Sequence, residues 1–338
     1  MKSTFRPTSV DDMDALCQFL ARVFAFEPGA PSLSPAVMAW KYWDRRDDWS
    51  GPRSYVLEKD GAIVAHAGIW PITFGTGEAA VRGIHMIDWA SAKESAGSGL
   101  ALVQKLAATC DFMVGIGGSE MTRKVLPAFG FAEHTRVWRG ALPLRPLRQI
   151  LTHQYRNWKL APRLARNSWL STKGMTPYKS WTAKEIAPDE ISQADARFSP
   201  RSAAFFEYIL RCPAAKVSLH GIFEGGTIKG HFALSVLQGQ ARIAGLWLTE
   251  PTQDAWAAGY YLAQQAARRM PDANEIVAVG SEGPSGAGAA QAGFQVTEGP
   301  WVYLLNKKKK LSLPPDFQFQ SSDDDEAFLD LGTASYWT

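Results

Sequence analysis

The sequence predicts two tandem α/β (α+β) domains, each a mixed, mostly antiparallel sheet flanked by helices. Length gives the first reason: 338 residues suit two domains at roughly 100–200 residues each. The second reason is that the first half returns in the second. A hairpin, Ser54 to Gly61 with a DG turn and then Ala62 to Phe74, is matched by Lys216 to Gly226 with a GG turn and then Thr227 to Leu237. His66 answers to His231, Trp89 to Trp247, and a Gly-Ser-Glu triplet at Gly118 to another at Gly280. Gly130-Phe131 answers to Gly293-Phe294 and Trp138 to Trp301, so the separations are 165, 158, 162, 163 and 163 residues. Five matches in order at nearly one spacing are the mark of a duplication. With 46% hydrophobic residues, 13 Trp and 17 Phe, the chain is too apolar to be disordered.

Each copy reads as helix, helix, hairpin, strand, helix, strand, helix, strand. Asp11 to Phe26 carries Met13, Leu16, Phe19, Leu20, Val23 and Phe24 at helical spacing, with Ser9 or Asp11 as N-cap. A strand from Arg82 to Ser91 leads through a glycine-containing loop into a helix, Leu100 to Thr109, and then into the strand Phe112 to Ile116. The domains are bounded at 1–140 and 181–306, with a basic helical linker at 141–180 and a tail at 307–338.

The linker region is unusual in charge. From Arg139 to Lys184 there are ten Lys/Arg and no Asp or Glu, with Tyr155, Trp158 and Trp169 interleaved. Three readings fit: a solvated helix pair packed across both domains, a contact with an anionic membrane surface, or a contact with an acidic carrier or nucleic acid, for which no recognition motif is present. The net charge of +3 does not announce nucleic acid as main partner. In the tail, Lys307 to Lys310 and the acidic run Asp323 to Glu326 are expected to neutralise each other across the surface. Cys17, Cys110 and Cys212 match no metal-ligand or redox spacing and read as buried thiols of a reducing compartment. With Asp11 and Asp12 where a signal peptide needs an apolar run, and no 18-residue apolar window, the expectation is a cytoplasmic protein, with a peripheral place at the inner membrane face left open.

The loop after the strand Arg82 to Ser91 reads Lys93-Glu94-Ser95-Ala96-Gly97-Ser98-Gly99-Leu100. Glycines there allow close backbone approach, and amides at a helix N-terminus can hold a pyrophosphate; a tight turn would need the same residues. The order of elements, this loop after the fourth strand, and the following strand, helix and Gly-Phe pair resemble the GNAT (GCN5-related N-acetyltransferase) superfamily, whose loop reads Q/RxxGxG/A. Here the frame is Glu94-x-x-Gly97-x-Gly99: both glycines match and the first position is acidic, with Lys93 beside it. The resemblance covers about residues 3–140 and again 181–305. In the second copy the loop runs from Gln253 to Tyr260 without the GxG, so that copy is expected to bind no CoA. Trp40-Lys41-Tyr42, echoed by Phe206-Glu207-Tyr208 and then Pro213, and the tail Asp316 to Phe319 followed by Asp323 to Asp325 look like a subgroup of bacterial tandem proteins associated with polysaccharide assembly.

The resemblance implies transfer of an acyl group from acetyl-CoA, or another acyl-CoA, to an amine. Ser95, Ala96, Gly97, Ser98 and Gly99 would hold the pyrophosphate, and a backbone amide around Trp89 would receive the thioester carbonyl. For proton removal the candidates are His85 and Asp88, on the strand that reaches the thioester, and Glu120 just after the next strand. Alternation puts Ile84, Met86 and Asp88 on one face and His85, Ile87 and Trp89 on the other, so one of His85 and Asp88 faces the cleft. Each also has a structural reading, as do His66, paired by the repeat with His231, and Trp40, Trp43 and Trp49. The family's acidic Tyr position is Leu126. No metal site is expected. The acceptor would be a small-molecule or sugar amine, such as an amino sugar of a surface polysaccharide precursor. Two alternatives stay open: a FemABX-like transferase using aminoacyl-tRNA, and a non-catalytic scaffold of two degenerate copies.

Overall fold

The structure is a computed structural model that describes residues 3–74, 81–117, 120–152, 159–174, 178–191, 202–306, 319–329 and 336–338. The chain forms two compact units, each a mixed, mostly antiparallel sheet with helices against it. The first unit comprises Met1–His134, Trp301–Pro314 and Asp323–Asp325, and the second Thr135–Pro300, Pro315–Ser322 and Glu326–Thr338. Relative to the sequence copies at 1–140 and 181–306, the units exchange strands. Strand β6 (Ala132–Pro143), at the end of the first copy, runs antiparallel to β11 (Glu275–Ser281) in the second unit. The end of β12 (Gln295–Leu305), which closes the second copy, runs antiparallel to β5 (Phe112–Ile116) in the first, with Val302 opposite Ile116. Apolar patterning shows that a strand is there and which face it buries; it does not choose between two equivalent sheet edges.

The first unit begins with a strand that the patterning does not show, β1 (Ser3–Pro7), which pairs antiparallel with β2 (Ser54–Lys59). Between them lie α1 (Met13–Phe24) and α2 (Pro35–Tyr42). A 3₁₀ turn, Val10–Asp12, precedes α1, and the reciprocal bonding of Ser9 and Asp12 makes a capping box for it. The buried Arg53 guanidinium donates to the carbonyls of Trp40 (3.1 Å), Lys41 (2.7 Å) and Asp44, satisfying acceptors that α2 leaves open at its C-terminus. Then come β3 (Ala62–Phe74), β4 (Val81–Ser91), α3 (Ser98–Leu106), β5, and α4 (Glu120–Val125). The β2–β3 hairpin turns on Asp60 and Gly61, at φ +52° and +79°, the pair of positive angles a two-residue turn requires. The sheet order is β1-β2-β3-β4-β5-β12, and only β4 and β5 are parallel among these pairs. On one face α3 packs Leu102, Val103 and Leu106 against Leu57, Ile84 and Met113; on the other, Leu16, Leu20, Met38 and Tyr42 of α1 and α2 cover Val56 and Ala90.

In the second unit α5 (Pro146–Thr152) and α6 (Leu160–Leu170) are followed by β7 (Trp181–Glu185), the counterpart of β1, and then α7 (Ala203–Leu210). The chain continues through β8 (Lys216–Glu224), β9 (Thr227–Leu237), β10 (Gln240–Leu248), α8 (Gln253–Arg269), β11 and α9 (Pro284–Gln291). The order is β12-β6-β11-β10-β9-β8-β7, with β10 and β11 parallel. Residues 192–201, between β7 and α7, lie outside the described residues.

Several linker cations are consumed by this unit's own backbone. Arg145 donates to the carbonyls of Ala273 and Arg268, Arg148 to Pro271 (2.7 Å), and Arg163 to Thr338 (2.8 Å) and Tyr336 (3.2 Å). Two of these acceptors lie at or just beyond the C-terminal end of α8, where cations are favoured. Tyr155, Arg156 and Trp158 lie outside the described residues. Among the described residues no helix is long and apolar enough to cross a membrane. The tail departs most from expectation. Lys307 to Lys310 lie outside the described residues, but Asp323 and Asp325 are 3% and 5% exposed. Asp323 and Asp325 are therefore folded into the interior, Asp325 against the buried Lys41, while Glu326 stays exposed.

Candidate functional site

Strands β4 and β5 pair only through Gly83–Phe112, Ile84–Met113 and His85–Val114. Beyond His85 they part, and the parting coincides with a bulge. Gly68 of β3 faces Ile87 and His66 faces Ala90, so Ala67 is opposed by two residues, Asp88 and Trp89. Asp88 takes φ +48°, a left-handed conformation that Asp tolerates better than most residues. The bulge overturns the expected alternation. Trp89 packs on the α3 face with Ile84 and Met86, whereas Asp88 and His85 both meet groups on the opposite face.

Asp88 is held there by a buried cluster. The Lys41 ammonium, 2% exposed, pairs with Asp88 and, at 3.1 Å, with Asp325 of the tail; the Tyr42 hydroxyl donates to Asp88 at 2.5 Å. Burial pushes the Asp88 carboxyl up, but the Lys41 charge and the bonds from Lys41 and Tyr42 outweigh it and hold it below its ordinary value. Burial works likewise against the Lys41 charge, and Asp88 chiefly reverses it, so Lys41 stays charged well above its ordinary range. His66 lies edge-on to Tyr42. Its Nε2 is 3.0 Å from Ser54 Oγ and its Nδ1 3.1 Å from the Asp88 carbonyl, so His66 fixes the bulge from the backbone side. His85 Nδ1 lies 3.1 Å from the Asp323 carbonyl. Burial lowers both histidines to about 4, leaving them neutral at pH 7.

The glycine loop sits at the N-terminus of α3. Gly97 is the N-cap residue, at φ +82°. Gly99 is pressed against the sheet: a Cβ there would lie 3.2 Å from Ser91 Cβ and 3.3 Å from Trp89 Nε1. The Trp89 indole donates to the Gly99 carbonyl at 3.1 Å and the Ser98 hydroxyl to the Val64 carbonyl at 3.1 Å, tying the loop to β4 and β3. The first helical bond is Ala101 to Gly97, so the amides of Gly99 and Leu100 have no intrahelical acceptor. Glu94 is exposed and lies 3.9 Å from Arg22. The amides, the close-packed glycine and the parted strands fit a pyrophosphate followed by an extended thioester arm.

The structure thus brings Trp89 together with the loop residues Ser95, Ala96, Gly97, Ser98 and Gly99, and His85 and Asp88 together on another face. Glu120 stands apart: it is exposed on α4, 2.7 Å from Lys124 one turn on. Gly118 and Ser119 lie outside the described residues. Leu126 is buried against Met113 and Leu106. Trp40 is core, while Trp43 and Trp49 line a cavity of about 670 Å³ with Tyr42, Arg45 and Arg46. Sequence reasoning missed Lys41 and Asp325. Lys41 lies between Trp40 and Tyr42 on a short helix, and a lysine flanked by two large aromatics is a signal of burial with a partner. Cys17 is half-buried, Cys110 and Cys212 are buried. Among the described residues no group of three or more His, Cys, Asp or Glu is placed to hold a metal ion.

The strand order and the glycine-capped helix agree with the resemblance to GNAT proteins, and solved structures of that fold match the chain. No protein-family model matches the sequence, and no curated protein is significantly similar to it. Solved structures do match. A tandem GNAT protein from the clavulanic acid biosynthesis pathway superposes with a TM-score of 0.53 at 12% identity, over 90% of this chain and 98% of that one. Saccharomyces cerevisiae N-myristoyltransferase with bound myristoyl-CoA gives 0.58 at 13%, over 90% and 82%. A GCN5-related N-acetyltransferase from Anabaena variabilis gives 0.56 at 10%, over 90% and 73%. At these identities the likeness is one of fold.

Proposed function

We propose that the first unit is an acyl-CoA-dependent N-acyltransferase, using acetyl-CoA in the first instance and an amine as acceptor. The observation that carries the reading is the parting of β4 from β5 after His85, shortly before the Asp88–Trp89 bulge, with a helix N-terminus capped by Gly97. Acyl-CoA supplies the acyl group as a thioester. On this reading, the amides of Gly99 and Leu100, at the end of the loop Ser95 to Gly99, hold the pyrophosphate, and a bulge amide at Trp89 orients the thioester carbonyl and polarises it. The Trp89 indole keeps the two sites in register through Gly99. His85 and Asp88 act as positioning residues, since one is enclosed against the tail and the other is committed to Lys41 and Tyr42. The sequence resemblance makes an amino sugar the first acceptor to try.

The test is calorimetric titration with acetyl-CoA. One site per chain is expected in wild type, weakened on the order of a hundredfold in Gly97→Asp, where a carboxylate meets the phosphates. Absence of binding in wild type would return the scaffold reading, and competition by tRNA would return the aminoacyl-tRNA reading.

A membrane contact is supported by a separate observation. In the acid-free segment Leu147, Leu151 and Trp169 are 61%, 63% and 61% exposed, and Lys173 lies over the Trp169 ring at 3.9 Å. Aromatic and aliphatic side chains among cations suit an anionic lipid surface.

A further inference from the structure

The second unit repeats the strand parting and then closes it. Strands β10 and β11 pair from Gln240–Glu275 to Ile243–Ala278 and no further. A register shift between Ile243 and Gly245 marks a bulge at Ala244. Leu246 then lies opposite Phe232, one residue past His231. In the first unit Ala67, one residue past His66, is opposed by Asp88 and Trp89. Leu246 is therefore the second copy's counterpart of the bulge residues at which the first copy would receive a carbonyl.

What meets Leu246 comes from the tail of the same chain. Gln320 Oε1 accepts from the Leu246 N–H at 2.5 Å, and Gln320 Nε2 donates to the Leu246 carbonyl at 2.8 Å. On the β11 side, Ser281 N–H donates to the Phe319 carbonyl at 3.0 Å and Phe319 N–H donates to Ser281 Oγ at 2.6 Å. Gly280 and Gln320 form an antiparallel bridge. Phe319 and Gln320 are 2% and 6% exposed. The tail thus bonds to both strands where they have left each other. Among the hydrogen bonds of this segment, the two at Leu246 are made by a side-chain carboxamide, which presents a carbonyl to an amide as a ligand would.

We propose that the second unit keeps a carbonyl-binding site at Leu246 and that Gln320 fills it from within, its carboxamide standing where an external carbonyl ligand would be held. The ligand class is a small primary carboxamide, which presents both the acceptor and the donor that Leu246 uses, as the Gln320 side chain does. The site cannot take acyl-CoA as built: α8 is capped by Thr252, whose hydroxyl accepts from Ala255 N–H, and Glu250 and Asp254 lie beside it, repelling a pyrophosphate. The assignment stands on Leu246 and Gln320, so it holds whether or not the first unit binds acyl-CoA.

Chemical rescue tests it. Gln320→Ala removes a fragment that acetamide replaces, whereas Gln320→Leu removes the same bonds but leaves the space filled. Thermal midpoints of both variants are expected to fall by ~5–10 °C. Acetamide at a concentration without effect on wild type should raise the midpoint of Gln320→Ala and not that of Gln320→Leu. An equal response of the two variants, or none in Gln320→Ala, would overturn the proposal. Should Gln320→Ala not fold, its refolding yield with and without acetamide reads the same site: recovery supports the proposal, and no recovery defeats it.

Discussion

Replacing Lys41 by Met keeps the length of the side chain and removes the cation that Asp88 and Asp325 share. The side chains of these aspartates are 12% and 7% exposed, so water cannot take over the role of the ammonium. Removing one partner of a buried ion pair costs about 3–5 kcal/mol, and with two carboxylates facing one vacated position the upper part of that range is expected. The sign of the pH dependence is fixed by the shifts. In wild type Asp88 is held low, so its contribution is present above the ordinary carboxylate value and is lost as pH falls through its folded value. Lys41 is raised, so its contribution is complete below its ordinary value and fades only at strongly alkaline pH. In Lys41→Met Asp88 loses the charge that holds it low while burial still pushes its carboxyl up, so acid relieves the variant while it weakens wild type. Urea unfolding between pH 7 and pH 4.5 should therefore show a deficit that is largest at pH 7 and shrinks on acidification, and adding Asp88→Asn and Asp325→Asn should recover most of it. A deficit below about 1 kcal/mol at pH 7, or one that is constant across this range, would refute the account of the cluster.

Acid should also weaken the fold through its histidines. His66, His85 and His231 are lowered to about 4 by burial, so the unfolded chain binds protons below its ordinary 6.5 while the folded chain does not. Stability is lost as pH falls from there toward 4, by about 3 kcal/mol per histidine at full extent, and His66→Gln should flatten the pH profile of unfolding; an unchanged slope would place the proton uptake elsewhere. For the membrane contact, wild type should sediment with vesicles containing anionic lipid and not with neutral ones, and Leu147→Glu with Leu151→Glu should abolish this. Wild type that never sediments disposes of the reading.

The duplication, the hairpins and the strand Phe112–Ile116 were legible because they rest on periodicity and turn chemistry: Asp60-Gly61 and Gly225-Gly226 demand positive φ angles, and the structure has them. The glycine loop was legible for the same reason, since Gly97 caps a helix and Gly99 touches Ser91 and Trp89. The strand exchange was not, because β6 and β12 carry interchangeable apolar patterns. The bulge was not, because one inserted residue leaves no mark on composition, yet it moves Trp89 to one face and Asp88 to the other. The cluster of Lys41, Asp88 and Asp325 joins residues far apart in sequence, and an acidic run reads as a surface until the cation it neutralises is located.

The two copies show one architectural problem met in two ways. Parting two parallel strands strips backbone groups of their ladder partners, and such groups cannot be left buried and unmade without a penalty of about 1–3 kcal/mol each. In the first copy the bulge itself is braced, through Lys41, Tyr42 and His66, so that the strand beyond His85 keeps its course without needing β5. In the second copy Ala244 offers no side chain to brace, and the freed groups of Leu246 and Ser281 are paired with Gln320 and Phe319. The two solutions differ in chemistry: an ion pair and a histidine brace the first parting, and a carboxamide closes the second.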